Sequence, residues 1–211
     1  MGKESYKDAF RKPQELLQFA QLSSSDKVLD VTTGYGYLAN HMSKVTSQTV
    51  DVQNGSEWRG FFESIGIQKE IGKMEQDGRI RHFWSSMEDP GLSKINEYDL
   101  ITMQNTFHDL YDMPVDRTKF FRSIRTALKP KGRFLLIDHR AGKGRGARDA
   151  GANRGLHRIE ECVVREELEQ NGFVVVAQSD MFAMPHDDHR CCAWTDPMKN
   201  TDRFVLLCQK A

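Results

Sequence analysis

The chain has 211 residues, enough for one domain with a substantial core, and its 30 basic and 30 acidic side chains give a formal charge of zero. That balance, without a basic stripe interleaved with aromatics, argues against nucleic acid or an acidic membrane surface as partner. No apolar window is long enough to cross a bilayer, no apolar run near the start resembles a signal peptide, and Cys162, Cys191, Cys192 and Cys208 have no disulfide-framework spacing. A reduced, cytoplasmic protein is therefore expected.

In chain order, Pro13 opens a helix through Leu16, Leu17, Phe19 and Ala20. Residues 27–33 read as an apolar strand, followed by Gly34-Tyr35-Gly36 and a helix beginning near Tyr37. A strand, a glycine turn and a helix in that order present backbone N–H groups to a nucleotide-like ligand. A dinucleotide fingerprint is excluded, because no third glycine falls at the required spacing. Further strands are predicted at 48–53, 80–85, 99–104, 133–139, 173–178 and 203–209. Near-continuous apolar runs such as Phe134-Leu135-Leu136-Ile137 suit strands covered by helices on both faces. Phe120, Phe121, Ile124, Ala127 and Leu128 make a helical stripe that stops at Lys129-Pro130-Lys131-Gly132. Leu156, Ile159, Val163 and Leu168 make another, opened by His157 and closed by Asn171-Gly172. The alternation predicts an α/β, Rossmann-like, doubly wound seven-stranded sheet. It is mostly parallel, and the last strand, which follows another strand directly, inserts antiparallel. The whole chain, 1–211, reads as one domain, with the helical segment 1–25 packing on or near the ligand site.

Several motifs resemble class I S-adenosylmethionine (SAM) methyltransferases. Asp30-Val31-Thr32-Thr33-Gly34-Tyr35-Gly36 resembles their acidic strand followed by Gly-x-Gly-x-Gly, with Thr32 where the first glycine usually stands. Leu128-Lys129-Pro130-Lys131-Gly132, running into an apolar strand that ends at Asp138, resembles their "LKPGG" signature. Asn171-Gly172-Phe173 resembles the turn before their sixth strand. Asp8-Ala9-Phe10-Arg11-Lys12-Pro13, His108-Asp109-Leu110-Tyr111, Asp138-His139, Leu156-His157-Arg158-Ile159 and Thr201-Asp202-Arg203-Phe204 narrow the likeness to a bacterial family described only as predicted methyltransferases. The resemblance implies SAM as cofactor and a small-molecule acceptor. It places Asp30, Thr32, Gly34, Gly36 and Asn105 at the cofactor. Two departures stand out. The second strand ends in Gln53, with Asp51 two residues earlier on the same side, where relatives carry a ribose-binding carboxylate. At the adenine edge Ser86 and Met87 stand in place of the usual aspartate. These losses raise a rival reading, a SAM-fold protein that transfers no methyl group.

Methyl transfer needs alignment and, for some acceptors, proton removal. His108 is the candidate general base, since an imidazole titrates near neutrality. Asp109 would orient it, and His139 would contact substrate or pair with His108. His157 is expected to do ordinary helix-terminal work. The loop 140–155 carries Arg140, Lys143, Arg145, Arg148 and Arg154, and Arg145 and Arg148 are candidates to hold an anionic substrate under a lid. His186-Asp187-Asp188-His189-Arg190-Cys191-Cys192 fits no zinc spacing, so it reads as a surface loop and no metal is expected.

Overall fold

The computed structural model describes residues 3–151, 155–195 and 201–211. Strands β1 (Val28–Val31), β2 (Val50–Gly55), β3 (Ile80–Ser85), β4 (Tyr98–Gln104), β5 (Leu128–His139), β6 (Phe173–Ser179) and β7 (Arg203–Lys210) form one sheet. The strand order is β3-β2-β1-β4-β5-β7-β6. Pairing is parallel from β3 through β5, and β7 runs antiparallel to both β5 and β6. The predicted architecture is thus the observed one.

Helices α1 (Lys3–Arg11), α2 (Pro13–Phe19), α3 (Tyr37–Met42), α4 (Arg59–Ser64), α5 (Ile67–Gln76), α6 (Arg117–Ala127) and α7 (Glu161–Gln170) accompany the sheet. Two apolar layers result. Leu16, Leu17, Leu38, Met42, Ile67 and Ile71 pack with Val28, Val52, Leu135 and Ile137. Phe120, Phe121, Ile124, Val164 and Leu168 pack with Leu29, Met103, Phe134 and Leu136. Alternate residues of one apolar run thus serve opposite layers, which is why β5 needs no polar face.

Two expected boundaries move. β5 begins at Leu128, and the residues expected to end a helix and form a loop lie within it. Tyr98 pairs with Leu128 while Leu100 pairs with Arg133, so residues 129–132 bulge out between the two registers. Gly132 is required there, because a Cβ would lie 2.9 Å from the Tyr98 carbonyl oxygen. Leu156, His157 and Ile159 precede α7. Ile159 instead bridges Arg140 beside the sheet, so its periodicity with Val163 was coincidental. The predicted stop at Asn171-Gly172 is observed, with Gly172 at a φ of 77°. Among the described residues no helix is long and apolar enough to cross a membrane.

Candidate active site

A cavity of about 320 Å³ opens at the carboxyl ends of β1, β4 and β5, the edge where parallel α/β sheets bind ligands. Asp30, Thr32, Gly34, Asn105, Asp109 and His139 all line it, as do Lys7 and Arg11 of α1. Trp58, Phe61, Phe62 and Ile65, from the segment after β2, give it an apolar wall.

The turn after β1 passes through left-handed conformations at Thr32 (φ 54°), Gly34 (57°) and Gly36 (73°). Thr32 is β-branched and strained there, which explains why glycine suits the position. At Gly34 a Cβ would enter open space, whereas at Gly36 it would lie 2.6 Å from Met74 Cε. Gly36 is thus fixed by its backbone angle and by packing on α5, and it does not line the cavity. The turn's N–H groups are mostly spoken for within the chain. Thr32 N–H donates to Gln53 Oε1 (3.1 Å), Thr33 N–H to the Gln53 carbonyl (3.0 Å) and Gly34 N–H to Asn54 Oδ1 (3.0 Å).

That arrangement also corrects the reading of β2. Gln53 is fully buried, and its amide nitrogen donates to the Ser85 carbonyl and hydroxyl, each at 3.2 Å. It ties β1 to β3 and has no atom on the cavity wall. Asp51 lies deeper in the same strand, accepts both guanidinium N–H groups of Arg81 (2.9 and 2.8 Å) and the Tyr98 hydroxyl (2.9 Å), and meets Lys27. It is a structural anion in the sheet, far from the carboxyl edge. Asn54, which sequence reasoning passed over, is the partner of Gly34. The signal was an amide directly across a parallel strand pair from a glycine turn. Ser86 and Met87 likewise do not line the cavity. Glu57 accepts from the Ser86 hydroxyl (2.7 Å) and from Met87 N–H (3.0 Å), closing that edge.

Asp30 accepts from Thr102 Oγ1 and Thr33 Oγ1 beneath the turn. Burial pushes its pKa up to about 6 despite those two donors.

Across the cavity, Asp138 at the end of β5 organises His108. One carboxylate oxygen accepts from the backbone N–H of His108 (2.8 Å), and the other faces His108 Nδ1 at 2.7 Å. The ring is completely buried and does not line the cavity. Its Nε2 lies 3.3 Å from Asp109 Oδ1 and 3.2 Å from His157 Nδ1. Burial alone would lower the imidazole's pKa, but the carboxylates of Asp138 and Asp109 raise it to about 10. Both ring nitrogens face partners within the chain and the ring is sealed from the cavity, so His108 is not the exposed base expected from the sequence. Asp109 is ionised: burial would raise its pKa, yet hydrogen bonds from His108 and His157 bring it down to about 2.

His157 reaches this cluster from 49 residues away, from a loop where its own φ is 53°. The expectation of a helix-terminal role for it is overturned. His139 lines the cavity with its Nδ1 buried and without a hydrogen-bond partner among the described residues. Burial, and then the positive charge of His108 and Arg203, hold it well below the ordinary histidine pKa, so it stays neutral.

The arginines of the predicted lid are engaged elsewhere. Arg145 Nε donates to Asp149 (2.8 Å), and Arg148 caps the Gly144 carbonyl (2.9 Å). Neither lines the cavity. Arg154 lies outside the described residues.

The fold is the one shared by solved SAM-dependent methyltransferases. A model of the methyltransferase domain family matches residues 5–178, and the chain belongs to that family. Among solved structures, a SAM-dependent methyltransferase from Aquifex aeolicus is 18% identical, with 100% of each chain covered and a TM-score of 0.68. The [4+2]-cyclase SpnF is 16% identical over 96% of this chain and 81% of its own, with a TM-score of 0.69. The glycopeptide N-methyltransferase MtfA, solved with S-adenosyl-L-homocysteine, is 16% identical over 94% of this chain and 87% of its own, with a TM-score of 0.63. No curated protein matches the sequence.

Proposed function

We propose that this single domain transfers a methyl group from SAM to a small-molecule acceptor whose reacting oxygen or other nucleophile is already anionic. The observation that carries the reading is the cavity at the carboxyl edge of β1, β4 and β5, with a buried acid at one end and an arginine at the same mouth. Arg11 Nε is buried there without a hydrogen-bond partner among the described residues, which suits the donor's carboxylate. Asp30 would face its ammonium group, and Trp58, Phe61 and Phe62 offer the adenine an apolar wall. The segment that carries Lys7 and Arg11 would close over the amino-acid end.

The residues present therefore fit SAM at its amino-acid and adenine ends. The ribose side fits less well, since Asp51, Gln53 and Glu57 are all committed to other partners. When bound, SAM supplies a methyl group on a sulfonium, so the protein's task is to hold the acceptor in line and exclude water. Asn105, Asp109 and His139 face the cavity for that purpose. An ionised Asp109 and a neutral, weakly basic His139 are poor proton acceptors, which favours an acceptor that arrives deprotonated.

The committed ribose side also keeps the rival reading in play, a SAM-fold protein without methyl transfer, and the cyclase neighbour shows that the fold admits other chemistry. Calorimetric titration with SAM and with S-adenosylhomocysteine tests the first step. Binding of both is expected, and no binding of either would end the methyltransferase reading.

A further inference from the structure

His108 Nε2, Asp109 Oδ1 and His157 Nδ1 form a triangle with sides of 3.0, 3.2 and 3.3 Å. With Asp109 ionised, no placement of protons gives a donor and an acceptor on all three edges. If both imidazole nitrogens donate to the carboxylate oxygen, two N–H groups confront each other along the 3.2 Å edge. If only one nitrogen is protonated, an acceptor faces an acceptor along the remaining edge. A single cation at the centre satisfies all three atoms at once. Ligands at about 2.0–2.1 Å from a tetrahedral metal stand about 3.3 Å apart, and those of an octahedral one about 3.0 Å apart, so the observed edges fall within that span.

We propose that His108, Asp109 and His157 bind one divalent transition-metal ion at the wall of the cavity. Two imidazoles and one carboxylate are the donor set of zinc or ferrous sites, whereas magnesium and calcium favour oxygen ligands.

Three features outside the triangle support this. Asp138 grips His108 through Nδ1 and through its backbone N–H, the outer-sphere carboxylate that aims a metal-binding imidazole and fixes its tautomer. His157 sits on a left-handed backbone, and its ring is set edge-on to His108 at 86° and packed on Trp194. The neighbouring Arg158 anchors the loop, donating to Asp187 (2.8 Å), the Cys191 carbonyl (2.9 Å) and the Arg140 carbonyl (3.0 Å). The third feature is His139, whose unpartnered Nδ1 is buried beside the cavity and whose ring centre is 6.1 Å from that of His108. A metal-bound water or substrate oxygen in the cavity would supply the partner that the chain does not. Among the described residues three protein ligands converge, so open coordination positions remain for an acceptor oxygen on the side lined by Asp109. A metal there would hold the anionic oxygen of the proposed acceptor by direct coordination.

The test needs no SAM, so its outcome is independent of the methyltransferase reading. The full-length chain is stripped with a chelator and titrated with Co²⁺ while its visible absorption is followed; Zn²⁺ is then added as competitor. We expect one Co²⁺ per chain with d–d absorption, displaced by Zn²⁺ and not by Mg²⁺. His157→Gln and Asp109→Asn should each weaken binding at least about tenfold, since changes even to outer-sphere partners cost that much. Circular dichroism checks folding. His157 sits in a loop, so its variant is expected to fold, and Asp109→Asn is nearly isosteric. Absence of Co²⁺ binding by the parent would overturn the proposal, as would undiminished binding by both variants. Thiolate charge-transfer absorption that disappears in a Cys191→Ser/Cys192→Ser double variant would overturn it too, by placing the metal on the 186–192 loop.

Discussion

Replacing Asp30 with asparagine isolates the cost of keeping a carboxyl group under the glycine turn. Folding raises the Asp30 pKa from 3.8 to about 6, because burial opposes ionisation more than Thr102 and Thr33 favour it. Below pH 3.8 the group is neutral in both states and costs nothing. As pH rises from there, the unfolded chain releases the proton while the folded chain keeps it, so the parent loses stability. The loss stops growing above about pH 6, where both states are ionised. A shift of about two units corresponds to about 3 kcal/mol, and burial leaves little solvent screening to reduce it. Asp30→Asn has no proton to release. Its stability relative to the parent should therefore rise by about 2.4 kcal/mol between pH 4 and pH 7, measured by urea unfolding at each pH. All other titrating groups are common to both proteins and cancel in the difference. A gap that does not change with pH would refute the reasoning, showing Asp30 to be ionised in the native state through contacts stronger than the two hydroxyls. The same variant should weaken SAM binding above pH 6, if the carboxylate faces the donor's ammonium group.

Three other substitutions separate structural from ligand-binding roles. Gln53→Glu replaces a donor with an acceptor against the Ser85 carbonyl, so it should cost about 2 kcal/mol of stability instead of tightening SAM binding; thermal unfolding and calorimetry read both. Asp51→Asn, by weakening the buried contacts to Arg81 and Tyr98, should cost about 2–4 kcal/mol in chemical denaturation and leave SAM affinity unchanged in the folded protein. Arg158→Met leaves the Asp187 carboxylate without its buried cation and should cost about 3 kcal/mol. Hydrogen exchange in that variant should rise at Asp187 and Cys191, and unchanged protection there would show that Arg158 does not anchor the loop.

The sequence by itself determined the elements and the edge at which the cavity opens. Period-2 and period-3.6 patterns are local, and they located all seven strands and the helices α2, α6 and the body of α7. Parallel order then brings the ends of β1, β4 and β5 to one edge, so Asp30, Gly34, Asn105, Asp109 and His139 could be placed at a common site from their positions after strands. What each side chain touches was decided only by the tertiary structure. Asp51 and Gln53 share a face of β2, yet one meets Arg81 and the other Ser85, because partners across a sheet follow from register and depth. Arg145 is drawn to Asp149 four residues on, a local pair that composition disguised as a free basic loop. His157 was misplaced for a related reason. Ile159 imitates helical spacing with Val163, but its backbone bridges Arg140 at the sheet edge, and that bridge carries the preceding histidine across to His108 and Asp109. A periodicity reports which face of an element is apolar. It holds no information about a ring delivered by a loop from 49 residues away, since that contact depends on the closure of the whole sheet.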